Sequence, residues 1–374
     1  MISTLGRRAW RKQAEVAPYG LIPSESPMRV LFARRRIGRV KFRAAVVQGV
    51  GGAVPARCVP NSELAARLDT SDAWIRDRLG IASRHVASDA STVDLAVEAG
   101  ARALEMAGFG ALDAVVLATT TPDRLCPASA PEVAARLGHT GIAAFDVNAV
   151  CAGFVHALAT GNALIRGHMA DRVLVLGADV FTTLVDPDDR LTASIFGDGA
   201  GALVLRAGSP DEPGALCAFD LGSDGTQVGA VEVPGGGTRD RLGLPVPNRR
   251  PYLLMDGPAV FERAVREMTG SSRRVLARAG WDVASVDRFV PHQANIRIIR
   301  GVAEGLGIAA GRVVTNIEHV GNTVAASVPL ALADGHDGGS LGAGDRVLVT
   351  AIGAGLAWGS AAFTWPEVTG KARI

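Results

Sequence analysis

Apolar residues along this 374-residue chain follow two alternating patterns. Short, largely apolar runs at residues 44–50, 114–119, 143–147, 173–176 and 200–205 predict strands, with 44–50 suited to a buried one. Between them the apolar positions recur at intervals of three and four. Residues 91–107 place Val93, Leu95, Ala96, Ala99, Ala103 and Leu104 on one side, and residues 61–67, 132–137 and 151–165 also read as helices. The second half repeats the alternation. A long amphipathic helix at 257–279 is followed by a strand at 288–290, a helix at 295–306, a strand at 313–316 and a helix at 323–333. Strands at 347–352 and 356–364 close the chain. Strands alternating with helices imply an α/β protein with covered sheets. One long core helix among the strands of each half predicts a duplicated architecture. Residues 223–252, rich in Gly, Pro and Arg, read as a loop or cap between the halves. Residues 347–366 carry no charge and are long enough to span a bilayer. Gly353, Gly355 and Gly359 interrupt them, which predicts a strand, a turn and a strand inside a core.

Composition narrows the class. Hydrophobic residues make up 48% and charged residues 20%, which excludes a disordered chain and a disulfide-stapled mini-protein. The four cysteines (Cys58, Cys126, Cys151, Cys217) fall at no metal-ligand or disulfide-framework spacing. The net charge of +2 is unevenly spread. Residues 1–43 hold eleven Lys/Arg and two acids, hence +9, and the remainder holds 28 basic and 35 acidic residues, hence −7. Such an arm raises nucleic-acid binding as a function class. It shows no folded recognition motif, so it reads as a basic N-terminal extension. Met1 leads into basic rather than apolar sequence, which makes a cytoplasmic protein the expectation.

Three residues carry candidate chemistry. Cys151 stands between the 143–147 run and a helix that starts with small residues. There, peptide dipoles and free N–H groups are expected to lower a thiol pKa. His292 ends a strand and precedes a helix, a place where α/β proteins build sites. Asn322 occupies a third strand-to-helix junction. Taken singly, each has a plainer reading: a buried structural cysteine, a core histidine, a turn asparagine. Together they suggest acyl transfer. A thiolate attacks a thioester, and His and Asn donate hydrogen bonds to an oxygen that gains charge. No metal is called for.

Five ordered motifs then carry a resemblance. They are Asp69-Thr-Ser-Asp-Ala-Trp-Ile-Arg-Asp-Arg-Leu-Gly-Ile81, Asp146-Val-Asn-Ala-Val-Cys-Ala-Gly-Phe154, Ile195-Phe-Gly-Asp-Gly-Ala-Gly-Ala202, Val290-Pro-His-Gln-Ala-Asn-Ile-Arg-Ile-Ile299 and Gly321-Asn-Thr-Val-Ala-Ala-Ser-Val-Pro329. From about residue 44 to residue 365 the chain resembles β-ketoacyl-acyl-carrier-protein synthase III. The resemblance implies a thiolase-like α/β fold with two similar halves, residues 44–215 and 216–374, in five layers (α/β/α/β/α), usually as a homodimer. It implies a decarboxylative Claisen condensation of an acyl-CoA primer with malonyl-acyl-carrier protein, starting fatty-acid or polyketide chains without a cofactor. By motif, Cys151 takes the acyl group, His292 and Asn322 assist decarboxylation, and the backbone N–H groups of Cys151 and Ala354 form the oxyanion hole. Ala354 replaces a family glycine. Trp74, Arg78, Arg190 and Asn295 match CoA-binding positions, and Arg297 matches a position that meets the acidic carrier protein. Cys126 stands where acetyl-using relatives often carry an aromatic residue, which predicts a roomier primer pocket. Leu191 stands where small residues are frequent, which predicts a narrower mouth. One alternative keeps the scaffold and moves an acyl group to a carrier protein, hydroxyl or amine. A second is a non-catalytic partner subunit, against which Cys151 argues. Neither nucleic acid nor a membrane is expected as a partner.

Overall fold

The computed structural model describes residues 43–372. The arm thus lies outside the described residues except for Arg43, which donates to the Ala170 carbonyl at 2.7 Å and pairs with Asp171.

In chain order the principal elements are β1 (Ala44–Ala53), α1 (Asp72–Leu79), α2 (Thr92–Met106), β2 (Ala114–Ala118), α3 (Ala130–Arg136), β3 (Ala143–Val147), α4 (Gly153–Arg166), β4 (Arg172–Asp179) and β5 (Gly199–Gly208). There follow β6 (Leu216–Ser223), α5 (Gly257–Ala279), β7 (Arg288–Pro291), α6 (Ile296–Leu306), α7 (Ser327–Asp337), β8 (Arg346–Gly353) and β9 (Ala357–Thr364). Local signals explain several boundaries. Ser91 caps α2 in a reciprocal box with Asp94, an arrangement that contributes about 1 kcal/mol. Helix α5 starts on Asp256 and stops at Gly280, which adopts φ 68°.

The first sheet has the order β1-β5-β4-β2-β3, with β2 parallel to β3 and β4 and the other pairs antiparallel. The second has the order β7-β8-β9-β6, with β7 and β8 parallel and the rest antiparallel. A parallel bridge from Val313 to Phe289 stands outside β7. With that bridge counted, the two halves share one strand order and one set of directions. The strand predicted at 313–316 shrinks to this bridge for a specific reason. Beyond Val314 the backbone N–H groups of Asn316 and Ile317 donate to Gln293 Oε1 rather than to a strand.

Helices α4 and α7 lie between the sheets. Helix α4 packs on β2 and β4 of the first and on β8 and β9 of the second, and α7 packs on β1, β5 and β7. Phe154, Leu158, Ile165 and Leu332 are fully buried in this central layer. Each such side chain stabilises the fold by about 1.5–3 kcal/mol. Helices α2 and α3 cover the outer face of the first sheet and α5 and α6 that of the second. The result is the five-layered arrangement the resemblance implied. The uncharged segment 347–366 is mostly the β8–β9 hairpin, buried as predicted. Among the described residues no helix is long and apolar enough to cross a membrane.

Candidate active site

Cys151, His292 and Asn322 line one cavity of about 730 Å³. Each reaches it from a different junction. The helix predicted at 151–165 begins instead with a single 3-10 turn, Val150–Ala152, ahead of α4. Val150 holds φ 48°, a conformation strained for a β-branched residue. That strain turns the chain sharply at the Cys151 backbone. Gly353 packs against this turn: a Cβ there would stand 2.7 Å from both the Cys151 nitrogen and the Ala149 oxygen. Only glycine permits the approach, and it sets Ala354 beside Cys151 on the cavity wall.

His292 follows β7, and its N–H donates to the Thr350 carbonyl at 2.8 Å. The ring is buried, with Nδ1 2.9 Å from Ser327 Oγ. That hydroxyl already accepts the Gln293 N–H at 2.7 Å. Among the described residues its own proton has no acceptor but Nδ1. The arrangement assigns the imidazole hydrogen to Nε2. Burial pushes the His292 pKa down to about 3, so the ring is neutral at pH 7. An unfolded histidine protonates near 6.5, and the folded one only near 3. This group therefore costs stability as pH falls from about 6.5 towards 3. In selectively 15N-labelled protein, with His292→Gln for assignment, the His292 ring signals are expected to stay those of the neutral Nε2–H form between pH 7 and 5. An inflection near pH 6.5 contradicts this assignment.

Asn322 is anchored by its backbone: its N–H donates to Ile195 O at 2.9 Å, and its carbonyl accepts the Gly197 N–H at 3.0 Å. Its Oδ1 accepts the Val324 N–H at 3.0 Å, so the Nδ2 protons are left for the cavity. The 195–202 motif thus supports Asn322. Asp198 of that motif accepts from Ala87 N–H and from Thr182 N–H and hydroxyl. The following turn is held by Asp179, at the end of β4. One oxygen accepts the Ala325 N–H at 3.0 Å, and the other accepts from the Thr120 and Thr121 backbone.

Burial raises Asp179 to about 6 despite these bonds. Burial also pushes the Cys151 thiol up, the Asp179 charge adds to the rise, and the Cys151 N–H acts the other way. The pKa lowering expected from the helix start is therefore outweighed.

The other expected residues divide. Trp74, Arg78, Leu191, Asn295 and Arg297 line the same cavity. Arg190 does not line it. It lies over the Trp74 ring, 5.6 Å from the centroid, and donates to Asp69 O at 2.8 Å, so it braces Trp74. Asn295 caps α6 through the Arg297 N–H, and the Arg297 guanidinium lies over Phe261 at 5.5 Å. Cys126 is not brought to the cavity. Its loop is pinned at Thr119–Thr121 by Asp179 and then runs exposed through residues 123–128. Ser327, Asp179 and Arg250 were missed: Ser327 lies in the 321–329 motif but had no role assigned to it, and no local pattern marks the other two. Residues 223–252 do form a cap, holding the short Val231–Glu232 strand and Thr238–Arg241 helix, and Val231 and Arg250 face the cavity. Among the described residues no cluster of His, Cys, Asp and Glu is placed to hold a metal.

Comparison with known proteins places this cavity in a lineage. Residues 145–225 match the family 3-Oxoacyl-[acyl-carrier-protein (ACP)] synthase III, and residues 276–365 match its C-terminal family. Beta-ketoacyl-[acyl-carrier-protein] synthase III 5 of Streptomyces coelicolor is 53% identical over 327 residues, 87% of this chain and 98% of that one. The chain belongs to the β-ketoacyl-acyl-carrier-protein synthase III family. The crystal structure of 3-oxoacyl-(acyl carrier protein) synthase III from Pseudomonas aeruginosa superposes with a TM-score of 0.83 at 50% identity, covering 87% of this chain and all of that one. The priming β-ketosynthase of a polyketide biosynthetic pathway superposes at 0.82 with 35% identity, covering 88% and 98%. In this family the fold is thiolase-like and the chemistry is that of a condensing acyltransferase. The two matched segments contain Cys151, His292 and Asn322.

Proposed function

We propose that this synthase III condenses an acyl-CoA primer with malonyl-acyl-carrier protein through an acyl-Cys151 intermediate. The observation that carries the reading is the convergence of Cys151 Sγ, neutral His292 and the free Asn322 amide on one cavity. In the first half-reaction the Cys151 sulfur forms a bond to the primer carbonyl. The S–C bond to CoA breaks, and the departing CoA sulfur takes the thiol proton. The N–H groups of Cys151 and Ala354 hold the oxyanion. In the second, malonyl thioester loses carbon dioxide, and His292 Nε2–H and Asn322 Nδ2–H hold the enolate oxygen. The enolate carbon attacks acyl-Cys151, and the released Cys151 thiolate regains a proton from solvent. The products are 3-oxoacyl-carrier protein, CoA and carbon dioxide.

Trp74 and Arg78 hold the CoA end, and Arg297 meets the carrier protein. The same reading makes the enzyme a cytoplasmic homodimer without a resident cofactor.

The test mixes enzyme, an acyl-CoA panel and malonyl-carrier protein. Carbon dioxide release that depends on acyl-CoA, with a 3-oxoacyl product, supports condensation. Acyl transfer to the carrier without carbon dioxide release supports simple acyltransfer. Ser327→Ala removes the partner that fixes the His292 tautomer. It is expected to lower kcat for decarboxylation about tenfold with little change in KM. An unchanged kcat contradicts the assigned role.

A further inference from the structure

Beyond Arg78 and Arg297, the cavity holds a third cation that belongs to none of the five sequence motifs. Arg250 lines it from the cap. The chain on either side is pinned: the Arg250 carbonyl accepts the Gly235 N–H at 2.9 Å, and Leu253 is buried and donates to Leu184 O at 2.8 Å. The side chain, by contrast, is unsatisfied. Its Nε is buried without a hydrogen-bond partner, and the guanidinium has no ion pair among the described residues. Its neighbour Arg249 points elsewhere and pairs with Asp240. A buried N–H without an acceptor is unfavourable and is relieved when a ligand supplies one.

The charges around it indicate what that ligand is. Arg78 lines the same cavity and likewise lacks an ion pair among the described residues. Asp189 is the one carboxylate among the lining residues, and both of its oxygens are occupied. One accepts the Leu191 N–H at 3.1 Å and the other the Thr192 hydroxyl at 2.7 Å. Three guanidinium groups against one committed carboxylate leave an excess of positive charge on a mostly apolar wall. A guanidinium matches phosphate oxygens in paired geometry, which an ammonium cannot do.

We infer that Arg250 binds a phosphate of the phosphopantetheinyl thioester substrate. This rests on the proposed condensation. The phosphate comes either from the nucleotide end of an acyl-CoA or from the phosphodiester that joins pantetheine to the carrier protein.

The experiment compares wild type with Arg250→Ala, Arg250→Gln and Arg250→Lys. Substrates are acyl-CoA, acyl-dephospho-CoA, phosphate-free acyl-pantetheine and malonyl-carrier protein. Thermal melting checks the fold of each variant. Arg250→Ala and Arg250→Gln are expected to raise KM for one phosphate-bearing substrate about tenfold, with kcat changed by less than about twofold. On acyl-pantetheine, kcat/KM is expected to change far less. Arg250→Lys keeps the charge but loses the paired geometry, so its loss is intermediate. A penalty confined to acyl-CoA assigns the nucleotide phosphates, and its disappearance on acyl-dephospho-CoA assigns the 3′-phosphate. A penalty confined to malonyl-carrier protein assigns the phosphodiester. Equal losses with and without phosphate, or no loss on any substrate, overturn the inference. Should the shorter side chains unfold the cap, the Arg250→Lys ratio of acyl-CoA to acyl-pantetheine decides alone: a ratio equal to wild type overturns it. If wild type accepts no acyl-CoA at all, the underlying condensation reading fails rather than this inference alone.

Discussion

Cys151→Ala is expected to abolish condensation, lowering kcat by a factor on the order of 10⁴ to 10⁶, as removal of a covalent nucleophile does. The structural cost should be small. Cys151 sits at a turn whose geometry comes from Val150 and from the glycine approach of Gly353, not from the thiol. The variant should therefore melt within a few degrees of wild type. The loss should also be selective. His292 and Asn322 are held by Ser327, Ile195 and Gly197, none of which depends on the thiol. Slow carbon dioxide release from malonyl-carrier protein should persist. Measuring acyl transfer and carbon dioxide release in parallel checks this, and loss of both would place Cys151 in positioning rather than in bond formation.

The converse substitution should give the converse pattern. His292→Ala removes a neutral donor from a buried position, where loss of one such hydrogen bond costs about 10²- to 10³-fold in rate. Decarboxylation and condensation should fall by that factor while acyl-Cys151 still forms. Asn322→Ala should act in the same direction. The double variant should lose less than the product of the two single losses, because both donors serve one oxygen. A His292→Ala protein that decarboxylates at the wild-type rate would remove the histidine from the mechanism.

Much of this was legible in the sequence, and the reasons are specific. Apolar runs and periodic helices marked the layers because most strands of the two central sheets are buried and helices cover the sheets' outer faces. The junction residues Cys151, His292 and Asn322 were visible because each follows an apolar run and opens a helical pattern. The 69–81 motif was visible, but its cause was not. Asn61, the first residue of the predicted 61–67 helix, buries its amide and donates to Asp72 and to the Ile81 carbonyl. The 313–316 strand failed because Gln293 takes over its hydrogen bonds, a contact between segments some 20 residues apart that periodicity cannot register. The thiol pKa was misjudged for a similar reason: the helix start is local, whereas burial and Asp179 arrive through the tertiary fold. Ser327, Asp179 and Arg250 likewise acquire their roles only when distant strands and the cap close around the cavity.

The most direct test of the account is the intact mass of the protein after incubation with acyl-CoAs, followed by a chase with malonyl-carrier protein. The account predicts one acyl adduct per chain on wild type and none on Cys151→Ala. The chase should discharge the adduct with release of one carbon dioxide and one 3-oxoacyl-carrier protein for each acyl group. An adduct that survives on Cys151→Ala, or one that the malonyl chase leaves in place, would contradict it.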